Sequence, residues 1–142
     1  RKVASKRGKN IIVYEGGESL RFDQHAIEEG IAGTQRLMKY LNMIDNAPEA
    51  KNKSKIIWSS SWIRAKYAGL FQTSVLCGDL VQKGQCVGTI TDPFGEFKEE
   101  IFSNDMGYVI GLNNIPVINA GDALMHIGMD DQCKLQGSEA DE

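Results

Sequence analysis

The sequence predicts an α+β architecture, in which a strand–helix segment precedes a small all-β domain of the barrel-sandwich type. Three observations predict it. An apolar run at residues 11–14 is followed by a helical pattern that ends near residue 43. From residue 55 onward, short apolar segments alternate with Gly, Asp and Asn, and no helical period is sustained. This second half also contains an internal repeat.

Composition argues against several classes of protein. The chain has 142 residues, of which 42% are hydrophobic and 25% charged, as in an ordinary globular protein. A net charge of -3 and the lack of Lys/Arg runs interleaved with aromatic residues argue against nucleic-acid binding. No apolar stretch is long enough for a signal peptide or a membrane helix. Cys77, Cys86 and Cys133 are odd in number and widely spaced, so we expect thiols in a reducing, cytoplasmic location rather than disulfides or a zinc site.

The strongest candidate for catalysis lies near the start of the chain. The basic opening at residues 1–9 is typical of the end of a helix, with Gly8 as its stop. The apolar run that follows predicts a strand that ends at Glu15, directly before Gly16 and Gly17. An acid at a strand end beside two small residues is how an α/β enzyme presents a general base to a pocket. The alternative is a surface or salt-bridging acid.

The residues before this predicted strand contain no His, Cys, Asp or Glu. If Glu15 is catalytic, its chemical partners therefore lie outside the sequence shown. The first residue is Arg1 rather than Met. We expect the chain to be the tail end of a larger enzyme.

A helix is predicted over residues 24–43, with Asp23 as its N-cap. Gly30 and Gly33 lie inside it, and each costs about 1 kcal/mol relative to Ala. Such a cost indicates close packing against a neighbouring element. One face of the helix carries residues spaced three and four apart: Ile27, Ile31, Thr34, Met38 and Leu41.

Four parts follow from these patterns. Residues 1–47 form the strand–helix segment, 48–54 an exposed linker, 55–129 the β domain, and 130–142 a polar, acidic tail that we expect to be disordered. Within the β domain, strands are predicted at residues 56–58, 61–66, 69–72, 85–91, 96–103, 108–112 and 123–127.

The internal repeat organises the β domain. Residues 80–88 are similar to 117–124 under a shift of 37 positions, which superposes Gly84 on Gly121. Residues 68–71 are similar to 106–109 under a shift of 38. Two such copies can wrap about a pseudo-two-fold axis into a small flattened barrel with one shared core.

The chain has two histidines, and both are candidate zinc ligands. His25 and Glu28 have the His-x-x-Glu spacing of zinc peptidases, and positions three apart share one face of a helix. A catalytic zinc site needs three protein ligands, however, and the only other histidine is His126, in a predicted strand. Coincidence is therefore the favoured interpretation, with His25 at an exposed helix start. His126 is expected to face solvent or to bond to backbone.

Further residues have ordinary structural interpretations. Trp58 and Trp62 are expected to pack in the core or between domains rather than to stack on a ligand. Arg64 could face an anionic substrate, although nothing in its spacing requires this. Residues 92–95, which begin with Asp92, are predicted to form a turn.

Two stretches resemble the succinylglutamate desuccinylase/aspartoacylase family. "GKNIIVYEGGESLRFD" at residues 8–23, with its helix ending "LMKYLNMI", resembles the end of that family's catalytic domain. "SSWIRAKYAGLFQTSVLCGDLVQKGQCVGTITDPFGEFKEEIFSNDMGYVIG", together with "PVINAGDALMHIG", resembles its C-terminal β domain. The resemblance covers roughly residues 6–128. The β half is the more specific part, because turn glycines and strands recur in order.

The resemblance implies the C-terminal portion of a zinc hydrolase that cleaves the amide bond of small N-acyl amino acids. The first part would be the strand–helix tail of a zinc-peptidase-like α/β domain, and Glu15 matches the family's general base. The two His and one Glu that hold zinc lie far upstream in the family, so no metal ligand is assigned in this sequence. The isolated chain is expected to be inactive. A homo-oligomer is compatible with the sequence.

The alternative function is a carrier or binding module. Small two-fold repeat barrels also serve as biotinyl and lipoyl domains, whose modified lysine lies on an exposed hairpin. At the corresponding hairpin this chain has Lys98, without the Met-Lys-Met or Asp-Lys-Ala setting typical of carriers. Lys98 is therefore a poor acceptor.

Overall fold

The computed structural model describes residues 2–130, and these fall into two units that divide between Lys53 and Ser54. The first unit contains the two helices, α1 (Lys2–Lys6) and α2 (Gln24–Tyr40). The second contains the eight strands. Among the described residues, no helix is both long enough and apolar enough to pass through a membrane.

The basic opening forms the short helix α1, as predicted. Gly8, which follows it, has φ of +63°. Its amide donates to the Ser5 carbonyl at 3.0 Å, and the Lys9 amide donates to the Ala4 carbonyl at 3.0 Å. A glycine in the left-handed region satisfies the last carbonyls of a helix without a Cβ penalty, so Gly8 ends α1.

Helix α2 begins at the predicted residue, Gln24, and ends at Tyr40, three residues before its predicted end at residue 43. The Asp23 carboxylate accepts a hydrogen bond from the Ala26 amide at 3.1 Å, which confirms Asp23 as the N-cap. At the other end Asn42 has φ of +55°, and the Met43 amide donates to the Met38 carbonyl at 2.9 Å. Residues 41–43 therefore form the turn that ends the helix rather than its last turn.

The predicted strand that ends at Glu15 is not a strand in this structure. Residues 10–15 have no regular secondary structure, and their apolar side chains are exposed, with Ile12 at 76% and Tyr14 at 60%. A strand needs a hydrogen-bonded neighbour, and the described residues of the first unit form no other strand. The apolar run has the composition of a buried strand, but the described residues provide no sheet that would bury it.

The second unit is built from two four-stranded antiparallel sheets. One sheet has the order β1-β8-β6-β3 and the other the order β5-β4-β2-β7. The strands are β1 (Ser59–Arg64), β2 (Gly69–Thr73), β3 (Leu80–Val81), β4 (Cys86–Thr91), β5 (Lys98–Phe102), β6 (Gly107–Leu112), β7 (Val117–Ile118) and β8 (Ala123–Met129).

Side chains from both sheets form one core. In β6, for example, Val109 is 1% exposed while the next residue, Ile110, is 45% exposed, as expected of a strand with one face against a core. The buried apolar side chains are Ile63, Ala65, Phe71, Val75, Val81, Val87, Ile90, Ile101, Val109, Ile118, Leu124, Met125 and Ile127.

Six predicted strands are present with shifts of a few residues at their ends. The predicted strand at 56–58 is wrong, although the Trp58 amide donates to the Met129 carbonyl at 3.1 Å, just before β1. The two-residue strands β3 and β7 were not predicted. Each is too short to show a period of two, so only its pairing with a neighbouring strand identifies it.

The predicted tail begins one residue too early. Asp130 is buried, and its carboxylate lies 3.6 Å from Nζ of Lys55. The rest of the predicted tail lies outside the described residues, as does Cys133. The thiols of Cys77 and Cys86 are exposed and form no disulfide.

Candidate active site

Tyr14 is held against α2 by its ring and by its hydroxyl. Its Oη donates a hydrogen bond of 2.6 Å to the Ala26 carbonyl. A Cβ at Gly30 would lie 2.8 Å from Cε1 of the Tyr14 ring, and a Cβ at Gly16 would lie 2.7 Å from its Oη. Gly16 and Gly30 therefore leave the space that the phenol occupies. We call Tyr14, Gly16, Ala26 and Gly30 the tyrosine seat.

The tyrosine seat explains one of the two helix glycines. The close packing predicted at Gly30 is confirmed, and its partner is Tyr14. At Gly33 a Cβ would meet only the Arg36 guanidinium, at 3.8 Å. The prediction of close packing at Gly33 is wrong.

The second glycine after Glu15 is required by the backbone. Gly17 has φ of +83°, in the left-handed region that strongly favours glycine. A Cβ at this position would lie 3.0 Å from Cβ of Asp23, the N-cap of α2. Gly17 thus lets the chain turn closely over the start of the helix.

Glu15 lies between Tyr14 and Gly16 in the sequence, and its side chain is exposed. It is in an irregular segment rather than at a strand end. A carboxylate is one of the side-chain groups that can act as a general base. The catalytic assignment of Glu15 remains a prediction.

Two open clefts lie next to the tyrosine seat. The larger, of about 480 Å³, is mainly apolar and is lined by Tyr14, Ile27, Gly30, Ile31, Thr34 and Gln35. The smaller, of about 220 Å³, is lined by Tyr14, Gly16, Gly17, Glu18, Arg21, Phe22, Asp23, Ala26 and Ile27. Glu15 lines neither cleft, although both of its neighbours line the smaller one.

His25 and Glu28 lie in the first turns of α2. Nε2 of Gln24 donates to a carboxylate oxygen of Glu28 at 2.9 Å. Within residues 2–130, no three His, Cys, Asp or Glu side chains come together as metal ligands would. The described residues therefore do not fit a zinc site of their own.

In the second unit, Trp62 stacks on His126. Their ring centroids are 4.0 Å apart and their planes differ by 9°. The two residues pair across β1 and β8, so cross-strand neighbours form the stack. The prediction that these tryptophans pack in the core is wrong, since Trp58 is 62% and Trp62 51% exposed, and packing between domains stays a prediction. The sequence did not predict this stack, because it depends on the strand register.

Lys55 forms a cluster with Tyr108 and Asp130 that the sequence does not predict. Its Nζ donates to Tyr108 Oη at 2.7 Å, lies 4.3 Å from the centre of the Tyr108 ring, and pairs with Asp130 at 3.6 Å. The hydrogen bond to Tyr108 is the main reason that the pKa of Lys55 is raised, and the charges of Tyr108 and Asp130 add to it. Desolvation acts in the opposite direction. Lys55 and Tyr108 are 53 positions apart, so spacing gave no signal.

The remaining candidates have structural partners. Arg64 donates to the Gly121 carbonyl at 2.9 Å. The predicted turn at residues 92–95 is present, and its Asp92 carboxylate accepts from the Phe97 amide at 3.0 Å. Lys98 lies in β5 rather than in this turn, and its Nζ is 3.9 Å from Glu100. This position does not favour a carrier function.

Comparison with known proteins gave matches only among solved structures. No family profile matches the chain, and no curated protein matches it. A succinylglutamate desuccinylase/aspartoacylase structure from Rhodobacter sphaeroides superposes with a TM-score of 0.70, at 19% sequence identity, over 78% of this chain and 37% of that one. The chain shares the fold of succinylglutamate desuccinylase/aspartoacylase structures.

Other structures with the desuccinylase/aspartoacylase fold agree. A protein assigned to this family from Shewanella amazonensis SB2B matches with a TM-score of 0.69 and 17% identity, over 90% of this chain and 39% of that one. A succinylglutamate desuccinylase from Silicibacter sp. TM1040 matches with a TM-score of 0.66 and 18% identity, over 78% and 35%. This chain thus spans 35–39% of the length of these structures, which is consistent with a C-terminal portion.

Proposed function

We propose that this chain is the C-terminal part of a zinc-dependent hydrolase that cleaves the amide bond of small N-acyl amino acids. Glu15 is the general base in this proposal, and the second unit is an accessory β domain. The observation that carries the proposal is the fold likeness, with TM-scores of 0.66–0.70 over at least 78% of the chain. A cytoplasmic location and homo-oligomeric assembly are parts of the same proposal.

The zinc ligands of the proposed enzyme lie outside this sequence. The described residues bring no three metal-ligating side chains together, so they do not fit the metal by themselves. The part that this chain plays is therefore limited to proton transfer and to shaping the surroundings of Glu15. On this proposal, residues 1–142 alone do not hydrolyse substrate.

In this proposal the Glu15 carboxylate is the general base of the reaction. It accepts a proton from the water that attacks the amide carbonyl and delivers that proton to the departing amine nitrogen. A positioned general base contributes about 10²–10⁴-fold to such a rate.

The test is Glu15→Gln in the intact protein. Glutamine keeps the size of the side chain and removes its basicity, so we expect kcat to fall by about 10²-fold or more while zinc content, measured by mass spectrometry, stays at its wild-type level. Hydrolysis is followed on N-succinyl and N-acetyl amino acids.

Glu29→Gln is the matched control. Glu29 pairs with Arg36 at 3.7 Å on the partly exposed surface of α2, and such pairs contribute little to stability. This variant should keep wild-type kcat. Wild-type turnover by Glu15→Gln would remove the assignment of Glu15 as the base.

We further propose that the second unit consists of two copies of one motif, offset by 37 or 38 positions. The two sheets have matching strand orders, which supports the proposal. The strands that occupy equivalent places in the two sheets are β1 and β5, β8 and β4, β6 and β2, and β3 and β7. Equivalent hydrogen bonds also recur. The Gly84 amide donates to Ser103 and the Gly121 amide to Ala65, both at 2.8 Å.

A further inference from the structure

We infer that Tyr14 is the residue that positions Glu15, an inference that rests on the proposed function. Tyr14 directly precedes Glu15 and is fixed to α2 by two independent contacts. Its ring fills the space above Gly30, and its hydroxyl donates to the Ala26 carbonyl at 2.6 Å. Although Tyr14 is 60% exposed, these two contacts tie it to α2 and so restrain the backbone that enters Glu15.

The tyrosine seat is built for this side chain. A Cβ at Gly30 would come within 2.8 Å of the ring, and a Cβ at Gly16 within 2.7 Å of the hydroxyl oxygen. Separations this short are not tolerated, so alanine at either position would displace the phenol. Two glycines in different segments thus serve one tyrosine. Gly33, in the same helix, has no comparable neighbour.

The contacts also bracket Glu15. Tyr14, which precedes Glu15, folds over Gly16, which follows it, and a Cβ at Gly16 would lie 2.7 Å from the Tyr14 hydroxyl oxygen. The residues on both sides of Glu15 therefore belong to the same tyrosine seat, so a change in the seat is expected to shift the backbone that carries the carboxylate.

The surroundings of Tyr14 show that more than apolar packing is involved. The preceding residues Ile12 and Val13 are apolar and exposed, at 76% and 49%. Their side chains have no polar group, so burying them would require no specific hydrogen-bond partner. Tyr14 differs because its hydroxyl has a defined acceptor. Loss of that hydroxyl alone should therefore change the position of Glu15.

The test uses the intact protein with Tyr14→Phe, Tyr14→Ala and Gly30→Ala. Misplacing a catalytic group by about 1 Å can cost about 10²-fold, so we expect Tyr14→Ala and Gly30→Ala to lower kcat by about 10- to 100-fold. Tyr14→Phe keeps the ring and loses one hydrogen bond, and should lower kcat by about two- to tenfold. KM and zinc content should stay within about twofold of wild type, because substrate-binding groups and metal ligands are untouched.

Tyr40→Ala is the matched control, since Tyr40 lies at the end of the same helix and is 82% exposed. It should leave kcat unchanged. A merely structural role for Tyr14 predicts a lower melting temperature with normal kcat at permissive temperature, and that result would overturn the inference. So would equal kcat for Tyr14→Ala and wild type.

A second measurement separates this inference from the proposed function. In residues 1–142, the NMR backbone order parameters of Glu15 and Gly16 should be lower in Tyr14→Ala than in wild type, and adding Gly30→Ala to Tyr14→Ala should lower them no further. If the wild-type intact protein hydrolyses no N-acyl amino acid but these order-parameter results hold, the proposed function fails and the positioning stands. Unchanged order parameters in Tyr14→Ala remove the positioning even if the enzyme is active.

Discussion

Single residues in this chain owe their roles to partners distant in the sequence. Tyr14 contacts Gly30 across 16 positions, and Lys55 reaches Tyr108 across 53. Glu15 could be proposed from the sequence because its neighbours Gly16 and Gly17 are adjacent in the chain. Tyr14 and Lys55 could not, since a contact between distant positions leaves no local pattern.

Lys55 gives a prediction at this scale. Its pKa is raised in the folded chain, so its stabilising contribution is fully present below the unfolded value of about 10.4 and is lost as the pH rises through the folded pKa. We expect Lys55→Met to be less stable than wild type in urea unfolding at pH 7, and the difference to shrink near pH 11. Lys53→Met is the control and should match wild type at both pH values. A difference that grows with pH would contradict the assignment.

At the scale of elements, the sequence predicts best where a pattern is long. Helix α2 has its predicted N-cap and its predicted start, and it contains four of the five predicted face residues, with Leu41 as the C-cap. The strands β3 and β7 have two residues each and were missed. The strand predicted at residues 10–15 has the right composition, but strand formation depends on a neighbouring strand, which no local pattern supplies.

The proposed repeat leads to a prediction for two strand-start glycines. A Cβ at Gly69 would lie 2.5 Å from the Thr91 carbonyl oxygen, and a Cβ at Gly107 would lie 2.6 Å from that of Gly128. Because both clashes are with backbone, Gly69→Ala and Gly107→Ala should each destabilise the chain by about 1–3 kcal/mol in urea unfolding.

The matched control for these glycines is Gly33→Ala. Its position is open, and alanine favours a helix over glycine, so stability should be unchanged or rise by up to about 1 kcal/mol. A large loss at only one of Gly69 and Gly107 would show that the two positions are not equivalent.

At the scale of the whole molecule, the two units differ in how much they bury. The second unit has a continuous core shared by two sheets. The first unit has no fully buried side chain among its described residues, and the apolar face of α2 is exposed, with Ile31 at 56%. Most of the stability of residues 2–130 therefore resides in the β unit.

Metal removal tests whether residues 1–142 hold a metal of their own. Because the described residues assemble no metal ligands, adding EDTA to residues 1–142 should leave the melting temperature unchanged within about 1 °C. The intact protein, in which we place the zinc ligands outside this sequence, is the comparison and should lose zinc and activity. A fall in the melting temperature of residues 1–142 on chelation would show that this chain holds a structural metal.

The sequence by itself determined helix α2, six of the eight strands of the second unit, the N-cap at Asp23 and the place of Glu15 beside two glycines, because each of these depends on residues close in the chain. The resemblance to one family of structures was also present in the sequence. Only the tertiary structure decided that Tyr14 occupies the space at Gly30, that Trp62 stacks on His126 and that residues 10–15 lack a strand partner. Side-chain volume, strand register and backbone pairing are properties of distant segments brought together, which no local pattern encodes.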